Sequence, residues 1–166
     1  MNLKLRYIMK YIFFRLIPEF LIIGAVSAML IWISMADKSS FALTASIIAS
    51  AIALSLLLLY HSFNIINFLK MIKRQEKQYN IIFDDKNFKI YAKYSLWIVC
   101  SDYWLIRPGK YAIYRKAIES ASIGEAHPQK GGIIYLLKIK THWGKAFSIK
   151  FKNEKDAKAV KNWARR

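Results

Sequence analysis

The side chains able to do chemistry in this sequence are few and scattered. Glu19 is a lone carboxylate in the apolar run IPEFLIIGAVSAMLIWISM, residues 17–35. A carboxylate inside a membrane span is a candidate for handling ions or protons by default. Arg15 stands four residues earlier, on the same helical face, so an interfacial Arg15–Glu19 pair is the simpler expectation. Tyr60 and His61 close a second apolar run and read as interface residues rather than ligands. A basic cluster, Lys70, Lys73, Arg74 and Lys77, follows that run. Arg107 and Lys110 flank Pro108-Gly109 in YWLIRPGKYAIY, residues 103–114. These six cations are the expected contacts for an anionic lipid or a protein partner. For Arg107 and Lys110 the solvated rim of a turn is preferred, because two cations without a backbone nest do not define an anion site.

The groups needed for catalysis do not converge. The single cysteine, Cys100, excludes an internal disulfide and a Cys-cluster metal site, and it lies in an apolar run where a buried, inert thiol is expected. His127 and His142 fall in expected loops, and no His/Glu pair has metal-ligand spacing. There is no Gly-x-Ser-x-Gly and no phosphate-binding Gly-rich loop. The expectation is a protein that is not an enzyme, with no cofactor and no metal.

Positioning these residues requires two different kinds of chain. Hydrophobic residues make up 55% of the 166 residues, yet the formal net charge is +17. Both figures hold if an apolar block and a basic block lie side by side. Residues 17–62 carry only Glu19, Asp37 and Lys38 as charged groups, whereas Lys and Arg far outnumber Asp and Glu from residue 78 onward. The runs 17–35 and 41–62 each approach the roughly 20 apolar residues that a bilayer core requires. Their short connector, ADKSSF, makes them a tight antiparallel hairpin. Lys4, Arg6, Lys10 and Arg15 precede the first run, and the basic cluster follows the second. The positive-inside rule therefore puts both termini in the cytoplasm. Gly24 and Ala28, and likewise Ala42, Ser46 and Ser50, recur at the spacing of close helix contacts, read here as packing of the two spans on each other.

Residues 1–16 form a basic cytoplasmic N-terminus and 17–62 the two-span hairpin. Residues 63–78, FNIINFLKMIKRQEKQ, form an amphipathic basic helix, with Ile65, Phe68, Leu69 and Ile72 on one face. It either continues the second span as a stalk or bends to lie at the lipid surface. From Tyr79 to 166 short strand-like runs follow: YNIIF, NFKIYAK, SLWIVC, YWLI, YAIYRK, a run around AIESASI, GIIYLLKIK and AFSIKFK. In YWLI and YAIYRK, a four-residue loop with Ile106 opposite Tyr111 puts Trp104, Ile106, Tyr111 and Ile113 on one core face. In the last hairpin, Tyr135, Leu137 and Ile139 face Phe151, Ile149 and Phe147, around the loop His142-Trp143-Gly144. Gly144 sits where a three-residue loop needs a left-handed residue. NEKDAKAVKNWARR, residues 153–166, is a helix capped by Asn153, with Ala157, Val160 and Trp163 or Ala164 buried.

A set of about seven short strands closed by one amphipathic helix, carried by YWLI…YAIYRKAIESASI and NEKDAKAVKNWA, resembles the pleckstrin-homology-like (PH-like) fold. Two spans ahead of such a domain are similar to the bacterial membrane-anchored PH and YcxB-like families. The resemblance implies a two-helix transmembrane hairpin followed by a cytoplasmic PH-like antiparallel β-sandwich or barrel with a C-terminal α-helix. It implies a bacterial plasma-membrane or inner-membrane location and a binding or scaffolding role without conserved chemistry. The expected partners are the lipid bilayer and a protein partner or second copy of the chain; nucleic acid is disfavoured by the membrane tether. An immunity or stress-response protein acting through its spans, or an accessory transporter subunit with Glu19 in its path, is the alternative.

Overall fold

The structure is a computed structural model that describes residues 3–37, 40–84, 90–93, 98–126 and 132–165, for 90–93 the backbone alone. It divides into two units, Met1–Lys70 with Pro108–Lys110, and Met71–Arg107 with Tyr111–Arg166.

The first unit is helical from its start. Helix α1, Leu3–Tyr11, passes through a π-helical segment, Ile12–Leu16, into α2, Ile17–Ala36. The basic N-terminus is thus an extension of the first apolar helix. Pro18 explains the π segment. It has no N–H to give, and its ring crowds the carbonyl four residues back, so the preceding turn widens. Ile17 N–H accordingly reaches back to Ile12 O. After Asp37, which closes α2 through its N–H to Ile33 O at 3.1 Å, helix α3 runs unbroken over Ser40–Tyr79. The segment 63–78 is therefore one helix with the second apolar run. Lys38 lies outside the described residues.

The stretches Leu3–Ala36 and Ser40–Tyr79 are each long and apolar enough to cross a membrane. Only 6% of the most apolar 18-residue window of each is buried, whereas a core helix of a soluble domain hides most of its apolar surface. Ser34 Oγ and Ser46 Oγ join α2 to α3 at 2.7 Å, and Ser27 and Ser50 are buried. The expected Gly24–Ala28 contact does not form: Ala28 is exposed and nothing lies within 4 Å of a Cβ placed at Gly24. Ser34, six residues beyond Ala28, carries the polar contact to Ser46, because a hydroxyl buried between helices needs a partner.

The second unit holds two antiparallel sheets. One has the order β1 (Ile90–Lys93), β2 (Val99–Ser101), β3 (Trp104–Arg107), β4 (Tyr111–Tyr114). The other has the order β5 (Ile118–Ala126), β6 (Ile134–Thr141), β7 (Ala146–Phe151). Helix α4, Glu154–Arg165, follows, started by the Asn153 side chain accepting from Lys155 N–H at 3.0 Å. Ile98, Leu105, Ile113, Leu137, Ile139 and Ile149 form one core with Ala157, Val160 and Trp163 of α4. Trp163 Nε1 donates to Ser101 O at 2.8 Å and ties α4 to β2.

The β6–β7 hairpin has the expected register: Tyr135 opposes Phe151, Leu137 opposes Ile149 and Ile139 opposes Phe147. Gly144 takes φ +80° at its turn. The β3–β4 hairpin differs from expectation. Arg107 opposes Tyr111, and Ile106 opposes Ala112, across a three-residue loop Pro108–Lys110. Tyr111 and Ile113 therefore share a face with Leu105, while Trp104 and Ile106 lie on the other face. Both faces are buried, so alternation of polarity carries no information about register here.

YNIIF is not a strand. Tyr79 ends α3, Asn80 takes a left-handed φ of +48°, and Ile81 N–H bonds to Glu76 O at 3.1 Å, a Schellman-type helix stop. At the β2–β3 turn the capping group is Ser101, whose Oγ accepts from Trp104 N–H at 2.8 Å. Asp85, Lys86, residues 87–89 of NFKIYAK, residues 95–97 of SLWIVC, and His127 lie outside the described residues.

Candidate functional site

The polar groups of the helical unit converge where the π segment faces α3. Arg15 Nε donates to Glu19 Oε1 at 3.0 Å, the pair that their spacing predicts. The second carboxylate oxygen is bound from α3, where His61 Nε2 lies 3.0 Å from Glu19 Oε2. The other ring nitrogen, Nδ1, lies 2.7 Å from Tyr11 Oη, and Asn64 Nδ2 donates to that same oxygen at 3.2 Å. A continuous chain, Arg15–Glu19–His61–Tyr11–Asn64, thus joins α1, the π segment, α2 and α3.

The carboxylate fixes one direction in this chain. A carboxylate can only accept, so His61 Nε2 carries the proton. Nδ1 shares a hydrogen bond with the Tyr11 hydroxyl, whose oxygen accepts from Asn64. Each of these groups thus has a hydrogen-bond partner. His61 is 1% exposed and Tyr11 2% exposed. Tyrosine, histidine and carboxylate in this order have the connectivity of an activated nucleophile. The hydroxyl is enclosed, however: a methyl group at Gly109 would overlap the Tyr11 ring, so the turn Pro108–Lys110 lies directly against it. The arrangement is a closed polar clasp, and both oxygens of Glu19 are committed to it.

The spacing on each helix held a usable signal. Tyr11, Arg15 and Glu19 are four apart, and His61 and Asn64 three apart, so each set shares a helical face. Reading His61 as an interface residue alongside Tyr60 missed this. Tyr60 is half exposed, and only its ring edge meets His61, at 5.1 Å between centroids. Exchange of His61 for leucine removes the ring partner of Tyr11 and one donor to Glu19. It is expected to cost about 2 kcal/mol, since each buried group left unpaired costs about 1–3 kcal/mol. Thermal unfolding of the full chain in detergent measures this. His61→Gln, which can donate at one end and accept at the other, should recover part of the loss; identical melting of all three chains would count against the clasp.

The expected anion contacts fall in both units. Lys70 is exposed on α3 and Lys110 is exposed in the turn of the helical unit. In the β unit, Lys73, Arg74 and Lys77 are exposed and Arg107 is half-buried at the end of β3. Arg74 holds its guanidinium 5.4 Å above the Trp143 ring, so that cation is partly engaged. Gly109 has φ +68°, the left-handed value for which glycine is needed after Pro108.

Cys100 is fully buried, and burial pushes its thiol up to about 12. It is therefore protonated and unreactive at neutral pH. Among the described residues no three His, Cys, Asp or Glu side chains come together in a metal-binding group.

Comparison of the chain with protein-family models, with curated proteins and with solved structures gives no significant match.

Proposed function

We propose that this chain is a membrane-anchored accessory or scaffold protein whose basic β domain binds a protein partner, an anionic membrane surface, or both. One observation carries the reading: two long helices leave their apolar surfaces uncovered and lead into a cation-rich, well-packed β domain. Uncovered apolar surface of that length is costly in water and favourable in lipid. The seven strands among the described residues and the terminal helix support the PH-like resemblance, and the flanking Lys and Arg support cytoplasmic termini in a bacterial plasma or inner membrane. The clasp gives this anchor a defined geometry, since it ties four helical segments together.

The anchor is tested by topology. Asp37→Cys is expected to react with an impermeant maleimide added outside intact cells, and Lys155→Cys only after lysis. The reverse pattern, or extraction of the chain by carbonate, would overturn the assignment. The binding role is tested by isolating the full chain from native membranes in mild detergent. A stoichiometric protein partner, or salt-sensitive protection of the β domain in anionic nanodiscs, is expected. Either should be lost on charge reversal of Lys73, Lys77, Arg107 and Lys110, since each surface cation contributes about 1 kcal/mol near an anionic leaflet. A chain that isolates alone, with equal protection in neutral and anionic discs, would refute it.

A further inference from the structure

A cavity of about 510 Å³ opens in the β unit, lined by Asn80, Ile81, Ile82, Tyr103, Trp104, Tyr114 and Lys116. We infer that it is a binding site for a single-chain anionic lipid.

The walls are held open by groups that do not belong to the cavity. Trp104 and Tyr114 are buried, with ring centroids 5.3 Å apart. Phe83 packs edge-on to Trp104 at 4.9 Å and Tyr79 against Tyr114 at 5.2 Å, so neither ring can swing in to fill the space. The wall made by Asn80–Ile82 is set by the helix stop, and Phe83 N–H donating to Glu76 Oε1 at 2.8 Å anchors its far end. That volume lies in the range of small-ligand sites, which combine apolar walls with a few placed polar groups.

The rim decides the ligand. Lys116 lines the cavity, and the guanidinium of the adjacent Arg115 sits 5.7 Å over the Tyr103 ring. Among the described residues, neither cation has a carboxylate partner. A guanidinium over one lining ring and an ammonium on the next residue of the chain suit a phosphate or carboxylate. Two of the lining residues are exposed apolar side chains, Ile82 at 69% and Tyr103 at 44%, the latter under the Arg115 guanidinium. Inorganic phosphate would leave that surface wet, and a neutral lipid would leave the cations unmatched. One acyl chain bearing one anionic head satisfies both. The inference rests on the membrane-anchored reading only for the source of such a lipid.

The test uses the full chain in phosphatidylcholine nanodiscs and a photoactivatable oleoyl lysophosphatidate, with labelled peptides mapped by mass spectrometry. Labelling of residues 17–62 by lipid partitioned into the disc is the internal reference. Labelling is expected at Asn80–Ile82 or Tyr103–Lys116, displaced by unlabelled lysophosphatidate but not by lysophosphatidylcholine or inorganic phosphate. Arg115→Gln with Lys116→Gln, and separately Ile82→Ser at its exposed position, should lower cavity labelling about tenfold, or about 1.4 kcal/mol, against an unchanged reference. Labelling confined to the spans, displacement by phosphate alone, or equal labelling of all three chains would overturn the inference. Membrane anchoring is read separately by carbonate extraction, so failure of the anchor and failure of the cavity give different results.

Discussion

Replacing Gln75 by leucine is expected to destabilise the β unit by about 2–5 kcal/mol, the cost of two buried backbone groups left unpaired. Gln75 lies on α3 and is fully buried. Its amide Nε2 donates to Ala112 O at 2.6 Å, and its Oε1 accepts from Tyr114 N–H at 2.6 Å. Ala112 and Tyr114 are two apart on β4, the last strand of the four-stranded sheet. The side chain thus bonds to the edge of β4 as a further strand would, and covers groups that would otherwise stay unpaired. Leucine matches its size and keeps the packing but offers neither a donor nor an acceptor. Urea unfolding followed by tryptophan fluorescence measures the effect, and amide exchange at Tyr114 should accelerate. Gln75→Glu removes the donor and buries a carboxylate against the Ala112 carbonyl, so it should lose at least as much. A loss below about 0.5 kcal/mol, the size of an ordinary surface change, would show that β4 does not depend on this amide.

The second large effect is expected at Gly109. Alanine there meets two separate obstacles. Its φ of +68° disfavours any residue with a Cβ, at roughly 1 kcal/mol. The added methyl also overlaps the Tyr11 ring, and overpacking of that kind costs about 1–3 kcal/mol. Together they predict a loss of about 2–4 kcal/mol in the full chain. A double-mutant cycle separates the two. With Tyr11→Leu as the background, which makes room, Gly109→Ala should retain only the backbone cost. Equal costs in both backgrounds would mean that the turn does not bear on Tyr11.

Arg107 and Lys110 flank a turn that has a second role. Pro108–Lys110 clusters with the helical unit and its glycine packs on the ring that bonds His61. The turn therefore has a structural duty in addition to any contact its two cations make.

Much of the architecture was legible in the residues themselves. The two apolar runs, the end of helical periodicity at Tyr79 and the capped terminal helix follow from composition and local spacing. The β6–β7 register was legible because one face of that hairpin is solvated. Lys138, Ser148 and Lys150 are exposed there and Leu137, Ile139 and Ile149 are buried, so a one-residue slip would exchange the two sets. Only the tertiary structure decided the β3–β4 register, because every residue from Trp104 to Ile106 and from Tyr111 to Tyr114 is buried and either pairing looks equally apolar. The clasp and the Gln75 bridge were decided the same way. Their partners lie dozens of positions apart in the chain, and a polar side chain declares itself as buried only when the groups that satisfy it have been brought alongside.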